Sequence, residues 1–322
     1  VSRAGLRTGA VRGPGDRADG GLVRAGLAHG GGDRNGRVVE TVTEMTATTD
    51  RPPSGPPGTS AVSLRGARLA YGDHVLWDGL DLDVSPGEFV AVLGPNGAGK
   101  TSLLRVLLGQ TALAGGSVEV GGRQVRRGSP RIGYVPQQKS FDPGLPLRAR
   151  DLVGFGIDGH RWGVAWPTRS RKARVDRALA EVGALSYADA PVGLLSGGEQ
   201  QRLRIAQALI TDPDVLLCDE PLLSLDLSHQ RSVSELIDER RRATRTAVLF
   251  VTHEINPIMD KVDRVLYLAN GRFRIGTPAE VMCTEVLSDL YQAHVEVVTV
   301  AGRLMVLGVE QEPHHHDHGD AA

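Results

Sequence analysis

The chain has 322 residues, 40 % apolar and 23 % charged, with a formal net charge of -1. That composition can bury a sizeable core and offers no electrostatic case for a nucleic-acid partner or an anionic membrane surface. Two cysteines, Cys218 and Cys283, exclude a disulfide framework, and no run approaches the roughly 20 consecutive apolar residues that cross a bilayer.

Residues 1–60 are rich in Gly, Arg and Pro ("VRGPGDRADGG", "DRPPSGPPGTS") and carry no hydrophobic period, so a disordered leader is expected. The N-terminus also lacks the apolar core of a signal peptide, and a cytosolic protein is expected. Met45 is the first methionine and a compact pattern begins soon after it. The expectation is that Met45 is the natural start and that residues 1–44 reflect an overlong reading frame.

From Ala61 the pattern is that of an α/β protein. "AVSLRGARLAY" and "LDLDVSPGE" alternate like half-exposed strands, with Pro86–Gly87 closing the second. "FVAVLG" (89–94) and "DVLLCDE" (214–220) are continuous apolar runs, as strands buried on both faces should be. "TAVLFVTH" (246–253) and "RVLYLANGR" (264–272) follow in the same style. Helical stretches lie between them, "KTSLLRVLLG" and "GEQQRLRIAQALI", which predicts a mainly parallel, helix-covered sheet. Residues 295–309 predict a hairpin turning at Ala301–Gly302.

"GPNGAGKT" (94–101) fits G-x-x-x-x-G-K-[ST] between a buried strand and a helix. Gly94, Gly97 and Gly99, with Pro95, Asn96 and Ala98 between them, let successive N–H groups converge on phosphate oxygens. The helix that follows adds its positive end. Lys100 is expected to bridge the β- and γ-phosphates, Thr101 to ligate Mg²⁺, and Ser102 to reach the α-phosphate. "VLLCDE" (215–220) places Asp219 to hold Mg²⁺ and Glu220 to act as general base on the attacking water. ATP and Mg²⁺ are the expected substrate and cofactor. Cys218, inside that strand, reads as a small core residue.

"LSGGEQQR" (195–202) resembles the signature of ATP-binding cassette (ABC) ATPases, and further landmarks follow in that family's order over roughly residues 62–285. Tyr71 matches the aromatic that stacks on adenine. Gln137 in "IGYVPQ" matches the glutamine that senses Mg²⁺ and the transport partner, with Gln138 an equally placed competitor. Asp226 matches the D-loop aspartate, and His253, 33 residues past Glu220, matches the switch histidine. Leu222 and Leu223 depart from the small residues usual between the Walker B proline and the D-loop. The resemblance implies a P-loop NTPase of ABC type: a mainly parallel sheet with helices, an antiparallel β part and a helical subdomain. It places the nucleotide-binding domain at 61–285, its helical subdomain near 138–198, an extension at 286–310 and a tail at 311–322.

The resemblance also implies a head-to-tail pair, a homodimer or a second cassette subunit, in which Ser196, Gly197 and Gly198 complete the partner's ATP site. With one P-loop, one signature and only about 95 residues between Lys100 and Ser196, a stand-alone transport subunit fits best. Its expected partners are two transmembrane permease subunits and an extracytoplasmic metal-binding protein, with no nucleic acid. Its expected place is cytoplasmic, peripheral on the inner face of the cell membrane. "YVPQQKSFDPGLPLRARDLV" and "GTPAEVMCTEVLSDLYQAHVEVV" are similar to the ATPases of zinc/manganese-type importers. A non-metal nutrient, or a role as a soluble assembly factor such as a scaffold component in iron–sulfur assembly, are the alternatives. The tail "HHHDH" offers His314, His315, His316 and His318, with Asp317, as ligands for a transition metal, or is a solvated end of no consequence. His160 and His294 are isolated and read as structural.

Overall fold

The computed structural model describes residues 60–137, 140–159 and 168–308. The leader at 1–59, Gln138, His160 and the histidine-rich tail lie outside the described residues. Two antiparallel strands open the domain, β1 (Val62–Tyr71) and β2 (His74–Val84), joined by a two-residue turn at Gly72–Asp73. They pair with β4 (Gly115–Val120) and β5 (Arg123–Gln124) in the order β2-β1-β4-β5.

A second sheet holds six strands, β10-β9-β3-β8-β7-β6. They are β3 (Phe89–Leu93), β6 (Ile132–Val135), β7 (Val215–Asp219), β8 (Ala247–Val251), β9 (Arg264–Ala269) and β10 (Arg272–Gly276). All neighbours run parallel except β10, which returns from β9 through an Asn270–Gly271 turn. Every residue of β3, β7 and β8 is buried. The reason lies in the two-residue side-chain period. Phe89, Ala91, Leu216, Cys218, Val248 and Phe250 enter a core on one face. Their chain neighbours Val90, Val92, Val215, Leu217, Leu249 and Val251 enter a core on the other. A continuous apolar run is what such a strand requires.

The helices are α1 (Lys100–Leu107), α2 (Ala149–Asp158), α3 (Arg169–Glu181), α4 (Gly197–Leu209), α5 (Leu227–Thr244), α6 (Pro278–Val281) and α7 (Thr284–Tyr291). Short polar side chains start four of them: Thr168, Ser196, Asp226 and Thr277 each accept a backbone N–H of the first turn. Helix α1 contributes Leu103, Leu104, Val106 and Leu107 to the core shared with β1 and β2, whereas α2 to α5 cover the opposite face. The chain then forms a separate hairpin, β11 (Val295–Val300) and β12 (Arg303–Gly308), turning through Ala301 and Gly302 at positive φ.

Arg241 fastens α5 beneath the sheet. Its guanidinium donates to Asp238 Oδ1 at 2.7 Å, Asp263 Oδ2 at 2.7 Å and the carbonyl of Gly87 at 2.8 Å. Asp263 in turn accepts the N–H of Phe89 at 2.8 Å, so one buried cation fixes the entry of β3. Removing one partner of such a buried network strands the remaining charges. Arg241→Ala is expected to lower the unfolding free energy by about 3 kcal/mol, the low end for a broken buried pair because Arg242 still reaches Asp238. Urea unfolding of the two proteins checks this, and a loss under about 1 kcal/mol would contradict it.

Candidate functional site

The loop between β3 and α1 takes its shape from the glycines. Gly94 sits at φ 137°, and a Cβ there would lie 2.0 Å from the carbonyl oxygen of Leu268 on β9. No larger residue fits where the chain leaves the sheet. Pro95 and Asn96 carry it outward, and Gly97 and Gly99, at φ 83° and 95°, turn it back into α1. Ala98 donates its N–H to Pro95 O at 3.3 Å. From below, the buried indole of Trp77 on β2 closes against Gly99. Loop N–H groups ahead of a helix N-terminus make an anion site.

Lys100 is the first residue of α1 and is buried. Its Nζ donates to the carbonyls of Gly94 at 2.7 Å and Pro95 at 2.8 Å, which folds the ammonium over the loop. Burial pulls its pKa down, while the nearby carboxylates of Glu220 and Asp219 oppose that pull. Tyr71, half-exposed at the end of β1, lies beside this helix. Hydrogen bonding with the hydroxyls of Ser102, first, and Thr111 holds its phenol below the usual value.

Strand β7 delivers the acidic pair. Asp219 is buried; its Oδ1 accepts from Thr101 Oγ1 at 3.3 Å and its Oδ2 from Tyr134 OH at 3.4 Å. Burial raises its pKa, and the charge of Glu220 adds to the rise. The Tyr134 hydroxyl is pushed up to about 12, chiefly by burial and then by Asp219. At Glu220 the backbone turns to φ 49°, held by its N–H donating to Val251 O at 3.0 Å. That left-handed turn costs a non-glycine residue on the order of 1 kcal/mol. It sends the second carboxylate elsewhere. Glu220 Oε2 accepts from Gln137 Nε2 at 3.1 Å, and Oε1 meets Nε2 of His253, which follows β8. The described residues therefore bring Thr101 to Asp219, and Gln137 and His253 to Glu220, with Lys100 facing both carboxylates.

Ser196, Gly197, Gly198 and Asp226 form a second group on other elements. Ser196 caps α4 in a closed box: Glu199 Oε2 accepts from the Ser196 N–H and Oγ at 2.8 Å each, and the Glu199 N–H donates back to Ser196 Oγ at 3.3 Å. Asp226 caps α5 through the N–H of His229 at 3.0 Å. That bond, with the Ser228 hydroxyl and the His229 ring, holds the Asp226 carboxyl well below the usual range. The His229 ring, 2.6 Å from Asp226 through Nδ1, lies against Gly198, where an added Cβ would be 2.2 Å from Cδ2. Leu222 is buried in the core and Leu223 is exposed.

Sequence reasoning did not single out Tyr134, Trp77 or His229. Only Tyr134 had a usable signal, because it lies near the carboxyl end of β6, the strand that leads to Gln137. Oxygen-only donors at Thr101 and Asp219 suit a hard cation such as Mg²⁺. Among the described residues no cluster of three or more His, Cys, Asp or Glu side chains could hold a metal ion, and no helix is long and apolar enough to cross a membrane. His294 is exposed between α7 and β11.

The profile of the ABC transporter family matches residues 77–223. The chain is 34 % identical over 263 residues to the zinc import ATP-binding protein ZnuC of Paramagnetospirillum magneticum, covering 82 % of this chain and 90 % of that one. It is 39 % identical over 217 residues to the aliphatic sulfonates import ATP-binding protein SsuB 1 of Nocardia farcinica, covering 67 % and 81 %. Among solved structures, a metal-chelate type ABC transporter in an inward-facing conformation superposes with a TM-score of 0.65 at 26 % identity, over 79 % of this chain and 98 % of that one. On a glycine loop closed by Lys100, an acidic strand end and these relationships, the chain belongs to the ABC transporter family as one of its ATP-binding, ATP-hydrolysing proteins.

Proposed function

We propose that the chain is the energy-coupling ATPase of an importer whose cargo is a metal ion, zinc or manganese, working with separate membrane permeases. The observation that carries the hydrolytic part is the divided acidic pair. Asp219 is joined to Thr101, while Glu220 is joined to Gln137 and His253. The loop N–H groups and Lys100 hold the triphosphate. Thr101 and Asp219, with Gln137 from the segment after β6, would hold Mg²⁺, which would neutralise the negative charge of the phosphates. Glu220 accepts the proton of the attacking water as the new P–O bond forms and the bond to ADP breaks. His253 fixes that carboxylate and meets the γ-phosphate. Ser102 serves the α-phosphate and Tyr71 stacks on adenine.

The second group acts in a partner cassette. Ser196, Gly197 and Gly198 offer a hydroxyl and helix-start N–H groups to the γ-phosphate held by the other subunit, and Asp226 lines the contact between the two. Positioning and charge neutralisation set the rate of phosphoryl transfer, so closure of the pair governs hydrolysis. Leu145, Phe155, Leu185 and Leu194 are exposed on or beside the helical part, which supports a docking face for the permeases. The protein would then sit peripherally on the inner face of the cell membrane, with an extracytoplasmic binding protein delivering cargo.

The match to the zinc-import relative spans 82 % of the chain against 67 % for the sulfonate-import relative, and this favours the metal. The higher identity of the sulfonate relative, 39 %, keeps an organic nutrient as the second reading. In the first reading His314, His315, His316 and His318 serve as a weak metal-binding tail. Elemental mass spectrometry of cells with and without the gene in metal-poor medium separates the two. A selective fall in zinc or manganese is expected, and unchanged metals would overturn the metal reading.

Glu220→Gln is expected to cut ATP turnover at least ~100-fold while nucleotide affinity is retained. Turnover near wild type would remove Glu220 as the base. The raised pKa of Asp219 fixes the sign of a pH effect. A carboxyl that keeps its proton above the ordinary value of 3.8 must lose it to Mg²⁺, so acidification weakens Mg²⁺ binding early. The advantage of wild type over Asp219→Asn in MgATP affinity should therefore shrink with falling pH before an ordinary aspartate would protonate. Comparing the two proteins cancels the titration of ATP itself. An advantage that stays constant until the ordinary carboxylate range would contradict the assignment.

A further inference from the structure

The segment carrying His253 is short. It leaves β8 at Val251 and ends in a 3-10 turn, Asn256–Ile258. Thr252 ties its near end, donating from Oγ1 to Glu254 O at 3.0 Å and accepting from Glu254 N at 3.2 Å. The far end is tied to a distant part of the chain. Asn256 donates from Nδ2 to the carbonyl of Leu304 at 2.9 Å, and its Oδ1 accepts the N–H of Leu304 at 2.8 Å. One carboxamide thus satisfies both backbone groups of one β12 residue, as a neighbouring strand would.

The other edge of the hairpin is held in the same way. Ser288 Oγ on α7 accepts from Val295 N at 3.1 Å and donates to Val295 O at 3.0 Å, and Thr284 Oγ1 accepts from Val297 N at 3.0 Å. The register pairs Thr299 with Leu304 and Val297 with Val306. In an antiparallel ladder, alternate residues turn their N–H and C=O away from the partner strand, and Val295, Val297 and Leu304 belong to that outward set. Two-stranded hairpins are marginal alone and their open edges need cover. Here the cover on one edge is α7, and on the other it is the segment that carries His253.

His253 itself is 41 % exposed, so burial does not fix its ring. Its place opposite Glu220 depends on how the two ends of its segment are held. We infer that Asn256 is a positioning residue through which the C-terminal hairpin holds His253 against Glu220, making residues 295–308 a control element for ATP hydrolysis. The inference rests on the reading of His253 and Glu220 given above. It concerns turnover rather than nucleotide affinity, because the Lys100 loop follows β3, whereas the clasp joins the segment after β8 to β12.

The test is steady-state ATP hydrolysis by the full chain as wild type, Asn256→Ala, Leu304→Pro and the double variant, with His253→Ala alongside. Proline at 304 removes the N–H that Asn256 accepts and leaves the ladder to β11 intact, since that N–H points outward. Asn256→Ala, which breaks both bonds, is expected to lower kcat about tenfold, and Leu304→Pro, which breaks only one, about threefold, each with KM for ATP within about twofold. The double variant is expected to match Asn256→Ala, because Leu304→Pro removes a bond that Asn256→Ala has already broken. Asn256→Asp keeps the acceptor and loses the donor, so an intermediate kcat is expected; it also carries the test if Asn256→Ala fails to fold in a thermal melt. A folded Asn256→Ala with wild-type kcat, a loss confined to KM, or losses that multiply in the double variant would overturn the inference. If His253→Ala is impaired and Asn256→Ala is not, the clasp alone fails. If His253→Ala turns over at the wild-type rate, the reading of the site falls, and the clasp with it.

Discussion

Asp219 and Glu220 are adjacent on the chain, yet the backbone turn at φ 49° gives their carboxylates different partners, and the rest of the site is arranged around that division. Burial penalises the ionised form of Asp219, and the neighbouring charge of Glu220 adds to that cost. The opposing cation is Lys100, whose pKa burial lowers and the same carboxylates only partly restore. The turn at Glu220 is anchored by Val251 O at the end of β8, the strand that also leads to His253. Loss of order at that point would disturb both carboxylates at once.

Strand order explains why so many groups reach one place. Along the sheet, β3, β8, β7 and β6 lie side by side and parallel, so their carboxyl ends share one edge. From them issue, in that order, the Lys100 loop, the His253 segment, the acidic pair and the segment with Gln137. Ligands in open α/β sheets bind at that edge. The second group is placed by helix caps instead: the hydroxyl oxygen of Ser196 and the carboxylate of Asp226 accept N–H groups from the first turns of α4 and α5. The His229 ring against Gly198 brings those two helix starts into contact.

The parallel sheet was legible because strands buried on both faces leave continuous apolar runs, such as Phe89–Leu93 and Ala247–Val251. Gly94 was legible as a glycine of a phosphate loop, although the reason for it, the carbonyl of Leu268, lies 174 residues away. Pairings of that kind leave no local trace. Nothing in "HEINPI" distinguishes Asn256 from a surface asparagine, and nothing near Leu304 announces it as the partner. Leu222 and Leu223 look alike in sequence, yet one is 5 % and the other 44 % exposed.

The division of the acidic pair can be tested with Mn²⁺ in place of Mg²⁺, by titrating the ion into the nucleotide-loaded protein and following free Mn²⁺ by electron paramagnetic resonance. If Asp219 holds the ion and Glu220 serves the water, Asp219→Asn should weaken Mn²⁺ binding about tenfold or more, as loss of a hard oxygen ligand would, and Glu220→Gln should leave it unchanged. Equal weakening in both variants would mean that the two carboxylates hold the ion together, and the account of the site would fail at its centre.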